Sequence, residues 1–167
     1  MLGPMLRRRH AMLIVGAAAV ALTAAASASS LDALVDHGGP SMPPGLYLRT
    51  AGSIERGAIV SVRAVDDAPG STARLTIAEE GDRLLQRVVA VAGDRVCASE
   101  TTITLNGTWL ANRLRHDAAG RALPRWEGCV TLSPQQGFLL GDTPDSVDGR
   151  YWGPTPIRRI EGVWVKL

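Results

Sequence analysis

Ser41 stands in the stretch Gly38-Gly39-Pro40-Ser41-Met42-Pro43-Pro44-Gly45-Leu46-Tyr47. Pro40, Pro43 and Pro44 restrict the backbone on both sides of it, which would hold the hydroxyl in one exposed direction and suits a nucleophile. The same composition also describes an ordinary turn. A second polar cluster follows far along the chain, just after the apolar run Phe138-Leu139-Leu140. Gly141, Asp142, Ser146, Asp148 and Arg150 crowd a loop there, and Asp148 and Arg150 could pair and lock its shape. Between the two lies Leu-Leu-Gln-Arg-Val-Val-Ala-Val-Ala-Gly-Asp, residues 84–94, in which Gln86 and Arg87 interrupt an apolar run. Such a polar residue could equally be solvated on the open face of a strand.

A serine nucleophile needs a base, and the candidates are few. The 18 basic residues include a single lysine, Lys166, one residue from the C-terminus. His37 precedes Ser41 by four residues and could in principle accept a proton, but a histidine in a Gly-rich loop reads as solvated. Cys97 and Cys129 are too few for a zinc site and have no His or Cys at ligand spacing, so no metal and no cofactor are expected. Against 16 acidic residues the net charge is +2, and three of the basic residues are Arg7, Arg8 and Arg9. Without that cluster the balance is near neutral, which gives no electrostatic case for a nucleic-acid partner.

The cluster has a different use. Arg7-Arg8-Arg9-His10 precedes residues 11–28, a run without a charge. A positive flank before an apolar run keeps the N-terminus in the cytoplasm and sends the rest across the membrane. Half of that run is alanine, and Ala26-Ser27-Ala28 has the small-x-small pattern of a cleavage site, so both an uncleaved anchor and a removed signal fit. Residues 1–30 are thus read as a basic flank and a transmembrane or signal helix, and residues 31–167 as an exported domain. In an oxidising compartment Cys97 and Cys129 could form one disulfide closing a loop of about thirty residues; two buried free thiols are the alternative.

In the exported part the signals are of period two, or short apolar runs punctuated by Gly, Pro and Asn. They predict strands at 45–49, 58–65, 84–91, 95–98, 102–105, 108–111, 129–132, 138–140 and 162–165. Asn106-Gly107 predicts a two-residue hairpin turn, since both residues accept positive φ. A short helix is expected at 71–80 and an irregular polar excursion at 112–128. With only seven aromatics (four Trp, two Tyr, one Phe), the core must be built mainly from Val, Leu, Ile and Ala. An all-β, partly open barrel follows.

The three polar segments, in this order and spacing, resemble the signal peptidase I family of membrane-bound serine peptidases. The family has an S-M-x-P-like box after its anchor, a K-R-V-x-x-x-x-G-D box on a strand and a G-D-x-x-x-S-x-D-x-R box near the end. Here they read Ser41-Met42-Pro43-Pro44, Gln86-Arg87-Val88 through Gly93-Asp94, and Gly141-Asp142 with Ser146, Asp148 and Arg150. Pro43-Pro44-Gly45-Leu46-Tyr47 and Arg150-Tyr151-Trp152-Gly153-Pro154 are similar to the conjugal-transfer (TraF-type) branch in particular. The resemblance implies a signal-peptidase-like β-barrel domain on the periplasmic side of the inner membrane, cutting a precursor protein or peptide. It makes Ser41 the nucleophile, position 86 the base and Ser146 the residue that orients that base, with Gly141, Asp142, Asp148 and Arg150 as support. Gly39 falls where some members carry an oxyanion-stabilising hydroxyl.

One position departs from the pattern at the point of chemistry. The family's base is a lysine whose amine is deprotonated by burial, and here the position is Gln86, whose amide is not basic. Arg87 stays protonated and offers no substitute. Two functions are therefore expected side by side: a serine endopeptidase that processes exported or pilin-like precursors, and a catalytically impaired relative that binds peptides or serves an assembly.

Overall fold

The computed structural model describes residues 33–39, 41–63, 83–117 and 119–167. The expected N-terminal helix, the expected helix at 71–80 and Pro40 lie outside the described residues. Of the unit Met1–Val35 only residues 33–35 are described, and all others belong to the unit Asp36–Leu167. Among the described residues no helix is long and apolar enough to cross a membrane.

The regular structure of the described residues is almost entirely β. Strand β1 is Leu34–His37, β2 is Gly45–Thr50, β3 is Ile59–Arg63 and β4 is Arg83–Ala90. They are followed by β5 (Arg95–Ala98), β6 (Thr102–Leu105), β7 (Thr108–Asn112), β8 (Gly128–Thr131) and β9 (Gln136–Leu140). A single helical turn, α1 (Gly149–Trp152), leads into the two-residue β10 (Thr155–Pro156), a 3-10 turn at Ile157–Arg159 and the long β11 (Ile160–Lys166). Among the described residues seven strands form one sheet in the order β1-β2-β11-β3-β4-β9-β10, and four form a second in the order β7-β6-β5-β8.

Strand β4 lies inside the larger sheet, antiparallel to β3 on one side and β9 on the other. Central placement accounts for its apolar richness: Leu85, Val88 and Ala90 are fully buried, and Val88 joins Val60, Val62 and Leu139 in one core cluster. Ala90, Phe138 and Leu140 belong to a second cluster with Val96, Ala98 and Ile103 of the smaller sheet. Both clusters are mainly aliphatic, the consequence of so few aromatics.

Local signals held where local geometry decides. Asn106 and Gly107 have φ of 51° and 85°, and Leu105 pairs directly with Thr108 across the turn. Cys97 on β5 faces Cys129 on β8 in register, the two are joined as a disulfide, and their Cα atoms are 4.0 Å apart. Three elements were not expected from sequence. β10 and α1 are too short to carry a period, and β10 exists because Thr155 and Pro156 pair with Gly137 and Gln136 at the sheet edge, where proline is tolerated. β1 is the third, and it carries His37.

Candidate active site

Ser41 lies midway along the connection between β1 and β2. It is not exposed: the residue is only 9% accessible, and Met42 beside it is buried. Its carbonyl accepts a hydrogen bond from the Asp142 backbone N–H at 2.6 Å, so the first and third polar segments meet through main chain. Gly141 makes that approach possible. A Cβ at position 141 would stand 2.8 Å from the Ser41 carbonyl oxygen and 2.1 Å from Ser146 Oγ, closer than any side chain could tolerate.

The end of the loop from Gly141 to Asp148 is held by a buried ion pair. Asp148, fully buried, accepts from Gly141 N–H at 2.7 Å, from Arg150 N–H at 3.0 Å and from the Arg150 guanidinium through Nε at 2.9 Å and Nη2 at 2.7 Å. The remaining guanidinium donors go to the Pro144 carbonyl at 2.6 Å and the Thr143 carbonyl at 2.7 Å. Burial pushes the Asp148 carboxyl up from the ordinary aspartate range, opposed by Arg150 and the two backbone N–H groups. The role of Asp148 and Arg150 is thus architectural: they fix a loop whose backbone touches Ser41.

Position 86 meets the same loop. Gln86 is fully buried, and its Nε2 donates to the Val147 carbonyl at 3.2 Å. Its Oε1 has no partner among the described residues, and neither does Ser146 Oγ, one residue from that carbonyl. Arg87, the next residue on β4, forms a bidentate pair with Asp142, Nε to Oδ1 at 2.8 Å and Nη2 to Oδ2 at 2.7 Å. Three sequence segments more than forty residues apart thus come together through Ser41–Asp142, Gly141–Ser146, Gln86–Val147 and Arg87–Asp142. The end of the second segment is elsewhere: Asp94 accepts from Val91 N–H, Asn106 and Arg56, and shapes a turn.

The partner of the Ser41 hydroxyl is a residue that sequence reasoning set aside. His37 is not solvated in a loop; it ends β1, is 9% accessible, and its Nε2 lies 3.4 Å from Ser41 Oγ. Burial lowers its pKa from the ordinary histidine value, against the opposing effects of a hydrogen bond with the Gly39 backbone and of Asp36. The Tyr47 ring meets the imidazole edge-on, with centroids 6.0 Å apart and planes at 88°. The Tyr47 hydroxyl donates to the Pro43 carbonyl at 2.6 Å, tying the Ser41 loop to β2. The signal that could have found His37 is its four-residue spacing from Ser41 with two glycines between. No group of side chains suited to hold a metal occurs among the described residues.

The described residues thus place a buried serine hydroxyl against an imidazole, where an all-β sheet meets the loop stapled by Asp148 and Arg150. The chain belongs to the signal peptidase, peptidase S26 family, whose model matches residues 7–166. Among solved structures it is similar to a signal peptidase I from Enterococcus faecalis V583, at 20% identity and a TM-score of 0.40, over 68% of this chain and 98% of that one. A comparison with curated proteins gives no match.

Proposed function

We propose that this chain is a membrane-bound serine endopeptidase of the signal peptidase type, with Ser41 as nucleophile, that processes exported or pilin-like precursors in conjugal transfer or secretion. The observation that carries the reading is the convergence of Ser41 with the Gly141–Ser146 loop, through the Asp142 amide and the glycine that admits it. The conjugal-transfer branch is supported by the Pro43-Pro44-Gly45-Leu46-Tyr47 stretch, in which Tyr47 anchors the loop. A place at the periplasmic face of the inner membrane is supported by exposed Leu46 and Leu48 on β2 beside exposed Val165 and Leu167 at the end of β11, an apolar surface on two adjacent strands.

The test uses the full chain in detergent micelles and an internally quenched peptide with small residues before the scissile bond. Wild type cleaves it and Ser41→Ala does not; equal behaviour of the two refutes the reading. A second reading, a catalytically impaired relative that binds peptides for an assembly, is favoured by Gln86, whose amide is spent on Val147. If that reading holds, wild type binds the peptide without cutting it, and Gln86→Lys gains at least about 10²-fold, the usual order of a positioned base.

A further inference from the structure

We infer that His37 is the general base serving Ser41 in this chain, in place of the amine that position 86 lacks. The inference rests on the serine-peptidase reading above and names a residue that reading leaves out. Contact comes first: Nε2 faces Oγ at 3.4 Å, within the looser reach of a nucleophile–base pair before substrate tightens it.

The ring is also held. His37 is buried, Tyr47 packs edge-on against it, and the same Tyr47 ties down the Pro43 carbonyl two residues beyond Ser41. One side chain thus braces both base and nucleophile. Asp36 precedes His37 on the strand and is exposed, so it projects to the opposite side and packing orients the ring instead of a carboxylate.

Room for the imidazole comes from Gly39. A Cβ there would lie 3.1 Å from His37 Cε1 and 3.5 Å from Nε2, so a larger residue at 39 would press on the ring. Two departures from the family pattern are therefore linked: Gln86 supplies no base, and Gly39 opens the space in which another base sits.

The groups around the ring leave it neutral at neutral pH. Burial disfavours imidazolium, while Asp36 and the Gly39 backbone favour it and do not prevail. Tyr47 has its hydroxyl pKa raised, chiefly by burial, and stays uncharged; beyond it Asp142 is paired with Arg87. A neutral ring with its proton on Nδ1 presents a lone pair at Nε2.

The steps balance without a further reactant except water. Ser41 Oγ bonds to the scissile carbonyl carbon as its proton passes to His37 Nε2. The imidazolium gives that proton to the leaving amine as the C–N bond breaks. Water then attacks the Ser41 ester, its proton passing to Nε2 and on to Oγ as the ester bond breaks.

The experiment uses the full chain in detergent micelles, the quenched peptide above, and His37→Ala, His37→Gln and Ser41→Ala. His37→Gln keeps a polar side chain of similar size and guards against loss of fold. Both His37 variants should cleave about 10² to 10⁴-fold more slowly than wild type, the usual loss of a positioned base. Added imidazole should restore part of the His37→Ala rate, and the acid limb of the wild-type kcat/KM profile, with its midpoint below about 6.5, should vanish from the variants. ¹⁵N NMR of the wild type should place the neutral ring's proton on Nδ1. Wild-type rate and pH profile in the His37 variants, or a proton on Nε2, overturns the base and leaves the peptidase reading standing. Equal behaviour of wild type and Ser41→Ala overturns that reading, and the base with it.

Discussion

The Asp142 backbone N–H donates to the Ser41 carbonyl at 2.6 Å, and this bond ties the Ser41 loop to a loop a hundred residues later in the chain. Asp142 is itself gripped by Arg87 of β4. Main chain and ion pair together hold the Ser41 backbone in place from two other parts of the chain.

Gly141→Ala should be severe for its size. The added methyl would meet Ser146 Oγ at 2.1 Å and the Ser41 carbonyl at 2.8 Å, and the second neighbour is backbone that cannot step aside. Overpacking of this kind costs about 1–3 kcal/mol, read as a lower denaturation midpoint. Peptide cleavage should fall by more than the unfolded fraction explains, since Ser41 must move. Unchanged cleavage with an unchanged midpoint would contradict the close approach.

Removing one partner of the Asp148–Arg150 pair should hurt more than removing both. Asp148→Ala leaves a buried guanidinium without its carboxylate, a loss of roughly 3–5 kcal/mol. A double-mutant cycle with Arg150→Met, followed by urea unfolding, should return a coupling energy of at least about 1 kcal/mol. Additive losses would mean that the pair does not act as a unit.

Acid should loosen the fold through His37. Its pKa is lowered in the folded chain, so between that value and the unfolded one, about 6.5, the unfolded state binds more protons and stability falls as pH falls. Thermal unfolding between about pH 7 and pH 5 should show this slope in the wild type, and His37→Gln should flatten it. A wild-type slope of the opposite sign would show that the ring gains rather than loses proton affinity on folding.

Much of the strand framework was legible in the sequence because short-range physics writes it there. The Asn106-Gly107 turn needs two residues at positive φ, and the pairing of Leu105 with Thr108 follows from it. The apolar run of β4 reads as buried because the strand lies inside the sheet and its side chains enter both core clusters. β1, β10 and α1 were not legible: β10 and α1 are too short to carry a period, and β1 forms through its pairing with β2.

The sequence by itself determined that position 86 holds no base, since no folding can make an amide basic. It also determined the three segments on which the proposed serine chemistry rests. Only the tertiary structure decided what lies against Ser41. The sequence pattern around His37 is that of a solvated loop, whereas in the fold the ring lies against the Tyr47 ring on β2, Gly39 and the Ser41 hydroxyl. Burial also sets its charge, because desolvation depends on what the chain packs around a group and not on the group's neighbours in sequence.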